Sequence, residues 1–376
     1  MFATITPVWL LHNFFFHLST VASGAFVDLF LWQQTQSLQT ILIYNLGAFL
    51  TLPLMAFVIA WLVEYIGPKA SYLLATLFSI SFVLVLIFTQ DLIVAQPFLL
   101  GLIKGVSLGS LLTVADFLQT KLSRTEADIG RFSAISSLVK ISLPPVLAFI
   151  ALSYNSFDLI FKLGLISFVI LSLITMVAPF PSTDFKFNLK AALLPIRKNN
   201  PEKPILAKAH FLMGIKDGFF FSLLNIIIFF LTGGLRGWGI FTFALGAFSF
   251  LLGIIYQYLF DQEQSLVLLA FGAVAFTAGS IAFASQFNLT GLILFATTYT
   301  LLNTVFSLTL SPINSQISSL DSLNEDLVIE YGIFSQIYQS FGRLIPIAVL
   351  IFLNVSLQDS GTLEGVIFAI SLVPFT

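Results

Sequence analysis

Arg343 stands in an apolar run with Gln336 and Gln339 behind it, at the i, i+3, i+7 spacing that makes one helical stripe. A guanidinium does not readily lose its proton, and its rigid fork of donors matches carboxylate or phosphate. Lys104, Lys140 and Lys216 are further cations set in apolar runs, with Asp28, Asp116 and Asp217 as acids. A charge near a bilayer centre costs at least about 2.5–3.5 kcal/mol, so each needs a partner, a water-filled cavity or a route to the interface. Asp217 is the leading candidate for a protonatable coupling group, or else half of a structural ion pair. Arg343 either lines a cavity or pairs with Asp217 or Asp28. Lys216 and Asp217 are adjacent, so helical geometry turns them about 100° apart and toward different neighbours. Asn13 and His17, at i,i+4, share a face suited to substrate contact, proton relay or an interhelical hydrogen bond. Asn225 lies two turns beyond Asp217, and Asn303 and Thr304 add polar groups elsewhere. This is chemistry for binding a polar or anionic solute and moving protons.

The elements that position these groups follow from composition. The 376 residues are 58% hydrophobic and 9% charged, against about 25% charged in a soluble domain. A spanning helix needs about 20 mostly apolar residues. Twelve stretches qualify: 8–32, 40–66, 70–89, 93–119, 132–153, 158–180, 209–231, 238–260, 265–285, 290–313, 331–354 and 361–376. They are continuous apolar runs, unlike the alternating strands of a transmembrane barrel. The fold class is an all-α polytopic membrane protein. No basic n-region precedes the first stretch, which reads as a spanning helix and not a cleaved signal.

Residues 181–208 form the longest polar stretch and divide the chain into halves, 1–180 and 209–376. Lys186, Lys190, Arg197, Lys198, Lys203 and Lys208 make it basic, and its LKAALLP run suits either an interfacial helix or a plain linker. With the N-terminus cytoplasmic, these six join Lys69, Lys121, Arg124 and Arg131 inside, and Arg236 alone lies in an outside loop. That bias places both termini in the cytoplasm. The halves repeat weakly. LGAF occurs at Leu46–Phe49 and Leu245–Phe248, and the Phe132, Ser133, Ile135, Pro144 spacing recurs as Phe334, Ser335, Ile337, Pro346. A parallel repeat of this kind occurs in transporters whose halves are related by an axis along the membrane normal.

Between the second and third segments the chain reads Ala60-Trp61-Leu62-Val63-Glu64-Tyr65-Ile66-Gly67-Pro68-Lys69. Leu62, Glu64, Gly67 and Lys69 resemble the G-x-L-x-D-R-x-G-R-[RK] signature of the major facilitator superfamily; Ala60, Tyr65 and Pro68 depart from it. GAFVDLFLWQ at Gly24–Gln33 and IEYGIFSQIYQSFGR at Ile329–Arg343 resemble a bacterial branch, the YqgE-like permeases. The resemblance implies twelve helices in two six-helix bundles, alternating access, and a midplane cavity lined by the first, second, fourth, fifth, seventh, eighth, tenth and eleventh helices. It makes Glu64, Gly67, Lys69 and Asp116 a cytoplasmic gate, and implies a monomer in the cell membrane.

Other readings are narrower. Lys104 and Asp116, twelve residues apart, are separated by about 18 Å of helix and cannot pair. Pro144-Pro145 is expected to interrupt backbone bonding and kink the fifth helix. Asp28 is either a protonatable group or a solvated carboxylate at the rim, and Lys162 snorkels. Gly101, Gly105 and Gly109 have the spacing of close helix approach. The chain has no cysteine and only His12, His17 and His210 as histidines, so no metal or cofactor is expected. No P-loop is present, which disfavours ATP-driven transport, and no basic domain exists to bind nucleic acid. The function expected is secondary transport of a small polar or anionic solute, with protons as the coupling partner. The same scaffold moving lipids or amphiphiles is the alternative. A membrane-embedded enzyme is remote, since about 16 Å of helix separates His17 from Asp28.

Overall fold

The computed structural model describes residues 7–122, 126–154, 156–180, 202–259, 265–321, 328–355 and 360–371. All regular structure in them is helical. Helix α1 (Pro7–Ser23) breaks at Gly24 and continues as α2 (Ala25–Thr35). Gln36 ends α2 with a left-handed φ of 50°, and its N–H donates to the Trp32 carbonyl. Ser37 then caps α3 (Leu38–Phe88), its hydroxyl accepting from the Thr40 N–H. At 51 residues α3 is long enough for two spans. Its one non-helical residue is Gly67, with φ 80° and ψ 162°. Glycine reaches that region without a Cβ clash, and Pro68 is pre-set to start the next helix. The signature-like loop is therefore a sharp corner of a few residues.

Next come α4 (Gln90–Ala95), α5 (Pro97–Leu122), α6 (Glu126–Tyr154) and α7 (Asp158–Val177). Helix α8 (Glu202–Phe219) passes through a π-helical turn, Phe220–Leu224, into α9 (Asn225–Leu231). Gly233 and Gly234, with φ 79° and 116°, turn the chain into α10 (Leu235–Leu259). Four helices remain: α11 (Ser265–Ser285), α12 (Leu289–Asp321), α13 (Val328–Phe352) and α14 (Ser360–Ser371). Eight helical stretches among the described residues are long and apolar enough to cross a membrane, α3 being counted once. Large apolar side chains such as Phe88, Phe149 and Phe352 are exposed, the surface that acyl chains would cover.

Helix α6 continues on both sides of Pro144 and Pro145, which remove two backbone donors as expected. This stretch packs against α10: a Cβ on Gly239 would lie 3.3 Å from Pro145 Cα. One expectation needs correction: the basic connection is shorter than 181–208, since α8 begins at Glu202. Residues 181–201, with the LKAALLP run, lie outside the described residues.

Small residues set which helices touch. A Cβ on Gly101, Gly105 or Gly109 would collide with the carbonyls of Tyr44, Ala48 and Leu52 on α3. Thr51 adds an interhelical bond, its hydroxyl donating to the Leu102 carbonyl at 3.0 Å. The same device holds α8 on α13, where Gly214 and Gly218 meet the Gln339 and Arg343 backbone and Gly342 meets Phe211. In lipid, where apolar burial drives little, such close approach supplies the van der Waals packing.

Candidate functional site

The α8–α13 contact brings together the residues that could bind charge. With the backbones this close, Lys216 and Asp217 on α8 lie beside Gln339 and Arg343 on α13. Arg343 Nη2 is 3.5 Å from Asp217 Oδ2 and donates to Gln339 Oε1 at 3.1 Å. Lys216 Nζ is 3.4 Å from Asp217 Oδ1, so the expectation that these neighbours face apart fails. The long lysine side chain swings back to the carboxylate while also donating to Asn303 Oδ1 on α12 at 2.8 Å. All three charged residues are buried. Of the two acids named as partners for Arg343, Asp217 is the one it meets. Gln339 Nε2 lies 3.1 Å from His210 Nδ1. Gln336 Oε1 and Arg343 Nε are buried with no hydrogen-bond partner among the described residues.

Aromatic rings frame the cluster. Lys216 Nζ lies 5.0 Å from the Tyr299 ring centre and 5.9 Å from that of Phe306. The Arg343 guanidinium is 5.3 Å from the Phe49 ring on α3 and 5.4 Å from the Phe221 ring. Phe49 thus ties the cluster to the first half of the chain. A cavity of about 200 Å³ lies against Lys216, walled by Leu212, Met213, Leu269, Ala273 and Phe306.

A second buried group sits on α2, α3 and α5. Asp28 is 4% exposed and accepts from Asn45 Nδ2 at 3.4 Å. The solvated-rim reading of Asp28 is therefore wrong: the break at Gly24 turns α2 and carries the carboxylate inward against α3. Lys104 Nζ is 4.6 Å from the Tyr44 ring centre. Asn45 and Phe49 are one turn apart on α3, so that helix carries a contact to each charged group.

The other expected site residues scatter. Asn13 and His17 are buried on α1. Asn225 does not continue the Asp217 face, because the π turn intervenes. Its Oδ1 instead accepts from Trp238 Nε1 at 3.3 Å. Thr304 bonds Ser249 at 2.9 Å. Glu64 and Asp116 are exposed, and Lys69 donates to the Met176 carbonyl at 2.6 Å, capping α7. Lys162 pairs with Asp158 at 2.6 Å on the surface. The side chain of Lys140 lies outside the described residues. Sequence reasoning missed Asn45, Phe49, Tyr299 and the bond of His210. Asn45 carried a signal, a polar residue in mid-segment, whereas Phe49 is one of 43 phenylalanines.

The two halves of the chain also meet away from the charges. Phe26 on α2 packs edge-on against Trp238 at 5.2 Å. Gln39 Nε2 donates to the Leu350 and Ile351 carbonyls, each at 3.5 Å. A Cβ on Gly239 would lie 2.9 Å from Ala148 Cβ, and one on Gly246 would lie 2.6 Å from Ile141 Cγ1. The start of α2 thus meets the start of α10, and the start of α3 meets the end of α13. The LGAF repeat has unequal neighbours: Gly246 faces α6, but Gly47 faces Phe98 and Gly101 on α5.

No protein-family model matches the chain. The uncharacterized protein YqgE of Bacillus subtilis (strain 168) is 22% identical over 241 residues, 62% of this chain. That match spans 56% of the relative's length. Among solved structures, the E. coli fucose:proton symporter FucP superposes with a TM-score of 0.64 at 17% identity, covering 98% of this chain and 97% of the symporter. The nucleoside transporter NupG gives 0.67 at 13%, covering 98% of each chain. The D-xylose-proton symporter gives 0.66 at 14%, covering 98% and 95%. FucP in its outward conformation is a major facilitator superfamily transporter and matches over 99% of this chain with a TM-score of 0.63 at 17% identity. Identities this low show the fold alone: the chain has the all-helical fold of these solved transporters over nearly its whole length.

Proposed function

We propose that this protein is a secondary active transporter that moves a small polar or anionic solute by alternating access, coupled to protons. The observation that carries the reading is the buried Lys216–Asp217–Arg343 cluster, with Arg343 against Phe49 of the opposite half. Buried charge is costly in a bilayer and is retained where it serves a pathway. Two of the superposing proteins are described as proton symporters, which supports the coupling. In this reading the chain forms twelve spans in two six-helix bundles, 1–180 and 209–376, joined by a basic cytoplasmic linker. The basic residues argue for a cell-membrane protein with both termini cytoplasmic. In that orientation the α3–α13 contact lies toward the outer side, which agrees with an inward-facing state.

The test is flux in proteoliposomes for the wild type, Arg343→Ala and Asp217→Asn, each first checked for a monodisperse folded form. Loss of flux in both variants supports the reading. Full flux in both sinks it. A second reading, movement of lipids or amphiphiles, draws on an apolar groove of about 470 Å³ along Phe211, Tyr338, Phe341, Leu344, Ile345 and Ala348. Lipid scrambling by the reconstituted protein, without solute flux, would favour it.

A further inference from the structure

The buried cluster is unbalanced, with Lys216 and Arg343 sharing the single carboxylate of Asp217. The other buried acid of α13, Glu330, stands 13 residues before Arg343, about 20 Å along the helix. Asp28 accepts from Asn45 on α3, in the separate group. Among the described residues, no second anion meets the two cations. Arg343 Nε also lacks a partner there. A net positive site away from water favours a bound anion.

The cavity beside this charge has a definite character. Among the described residues Lys216 is the one ionisable residue on its wall, and Leu212, Met213, Leu269, Ala273 and Phe306 are apolar. At about 200 Å³ it is somewhat larger than an apolar cavity that binds benzene, about 150 Å³. We infer that the α8–α11–α12 cavity, which lies within the second half of the chain, binds an amphipathic monoanion, its carboxylate on Lys216 and a body the size of one aromatic ring between the apolar walls. A simple inorganic anion would leave the apolar walls unfilled. A neutral ring would leave the charge unmatched.

The experiment measures binding of benzoate, acetate, benzamide and 2-naphthoate to the purified full-length protein by thermal stabilisation. Benzoate is expected to bind at least tenfold more tightly than acetate or benzamide. Lys216→Met and Ala273→Leu should each weaken benzoate at least tenfold, the second by filling the cavity without touching a charge. Leu269→Ala should turn the preference from benzoate toward 2-naphthoate, a gain that a merely damaged protein would not show. Lys162→Met, on the surface, should bind as the wild type does. Equal binding of benzamide overturns the anion requirement, and equal binding of acetate overturns the apolar body. Benzoate binding indifferent to Ala273→Leu lies elsewhere and overturns the site. Arg343-dependent flux of another solute with no benzoate binding overturns this inference and leaves the transporter standing. Binding that obeys the cavity variants, with no flux of any solute, supports the site and removes the transport reading.

Discussion

Asp217 serves both cations of its cluster, so its loss and that of Arg343 are not equivalent. Asp217→Asn leaves Lys216 and Arg343 facing each other, whereas Arg343→Ala leaves the Lys216–Asp217 pair intact. Stripping one partner from a buried pair costs about 3–5 kcal/mol. Asparagine keeps some hydrogen bonding, so Asp217→Asn is expected at the lower end of that range and Arg343→Ala below it. Thermal unfolding in detergent checks the order; a larger loss for Arg343→Ala would contradict the shared-carboxylate geometry. Asp28 belongs to a separate group with Asn45 and Lys104. If it carries the coupled proton, Asp28→Asn should abolish gradient-driven accumulation while leaving exchange of labelled for unlabelled solute. Loss of both modes would assign it to solute binding instead.

At the scale of elements, close helix contacts decide which residues can form a site. Gly218 lies against the Arg343 backbone and Gly105 against the Ala48 carbonyl, whereas a Cβ on Gly253 would meet nothing within 4 Å. Overpacking costs about 1–3 kcal/mol where a neighbouring side chain can yield, and more where the obstacle is backbone. Gly218→Leu and Gly105→Leu should therefore each lose at least that much, and Gly253→Leu little, when melting temperatures are compared. Gly218→Leu should also abolish solute binding, because it separates Asp217 from Arg343. A variant that melts early yet binds normally would detach the charge cluster from the site. The Gly101, Gly105 and Gly109 spacing was legible beforehand as a close-packing stripe. That Gly214, Gly218 and Gly342 form its counterpart was not, since glycines on different segments say nothing of their partners.

At the scale of the whole molecule, contacts join the two halves of the chain, and in the proposed transport cycle they would have to open. Gly246 against Ile141 and Trp238 against Phe26 hold α10 to the first half of the chain. Replacing Gly246 with leucine should wedge α10 from α6 and favour the opposite state. Trp238 is 1% exposed and the chain has no cysteine, so Trp238→Cys provides a unique thiol for maleimide. Its labelling should be slow alone and at least tenfold faster with Gly246→Leu. An unchanged rate would mean that this contact does not hold the closure.

Helical class, membrane residence and most segment boundaries could be read from the sequence, because a bilayer demands long apolar runs and satisfies the backbone only within helices. The gap between the second and third segments, at residues 67–69, was legible too, and the positive φ at Gly67 falls in it. That Arg343 and Asp217 need partners was also visible, because charge in an apolar run is costly, and Asp217 was one of two acids expected to meet Arg343. The rest of their surroundings was not. Whether Lys216 folds back on Asp217, whether Asp28 faces water or Asn45, and which phenylalanine lies beside Arg343 depend on how helices rotate and approach. Those rotations follow from glycine contacts between distant segments, from the break at Gly24 and from the π turn at Phe220–Leu224. Each acts through three-dimensional packing, to which residue spacing along a single helix is blind, and so the site itself was settled only by the tertiary structure.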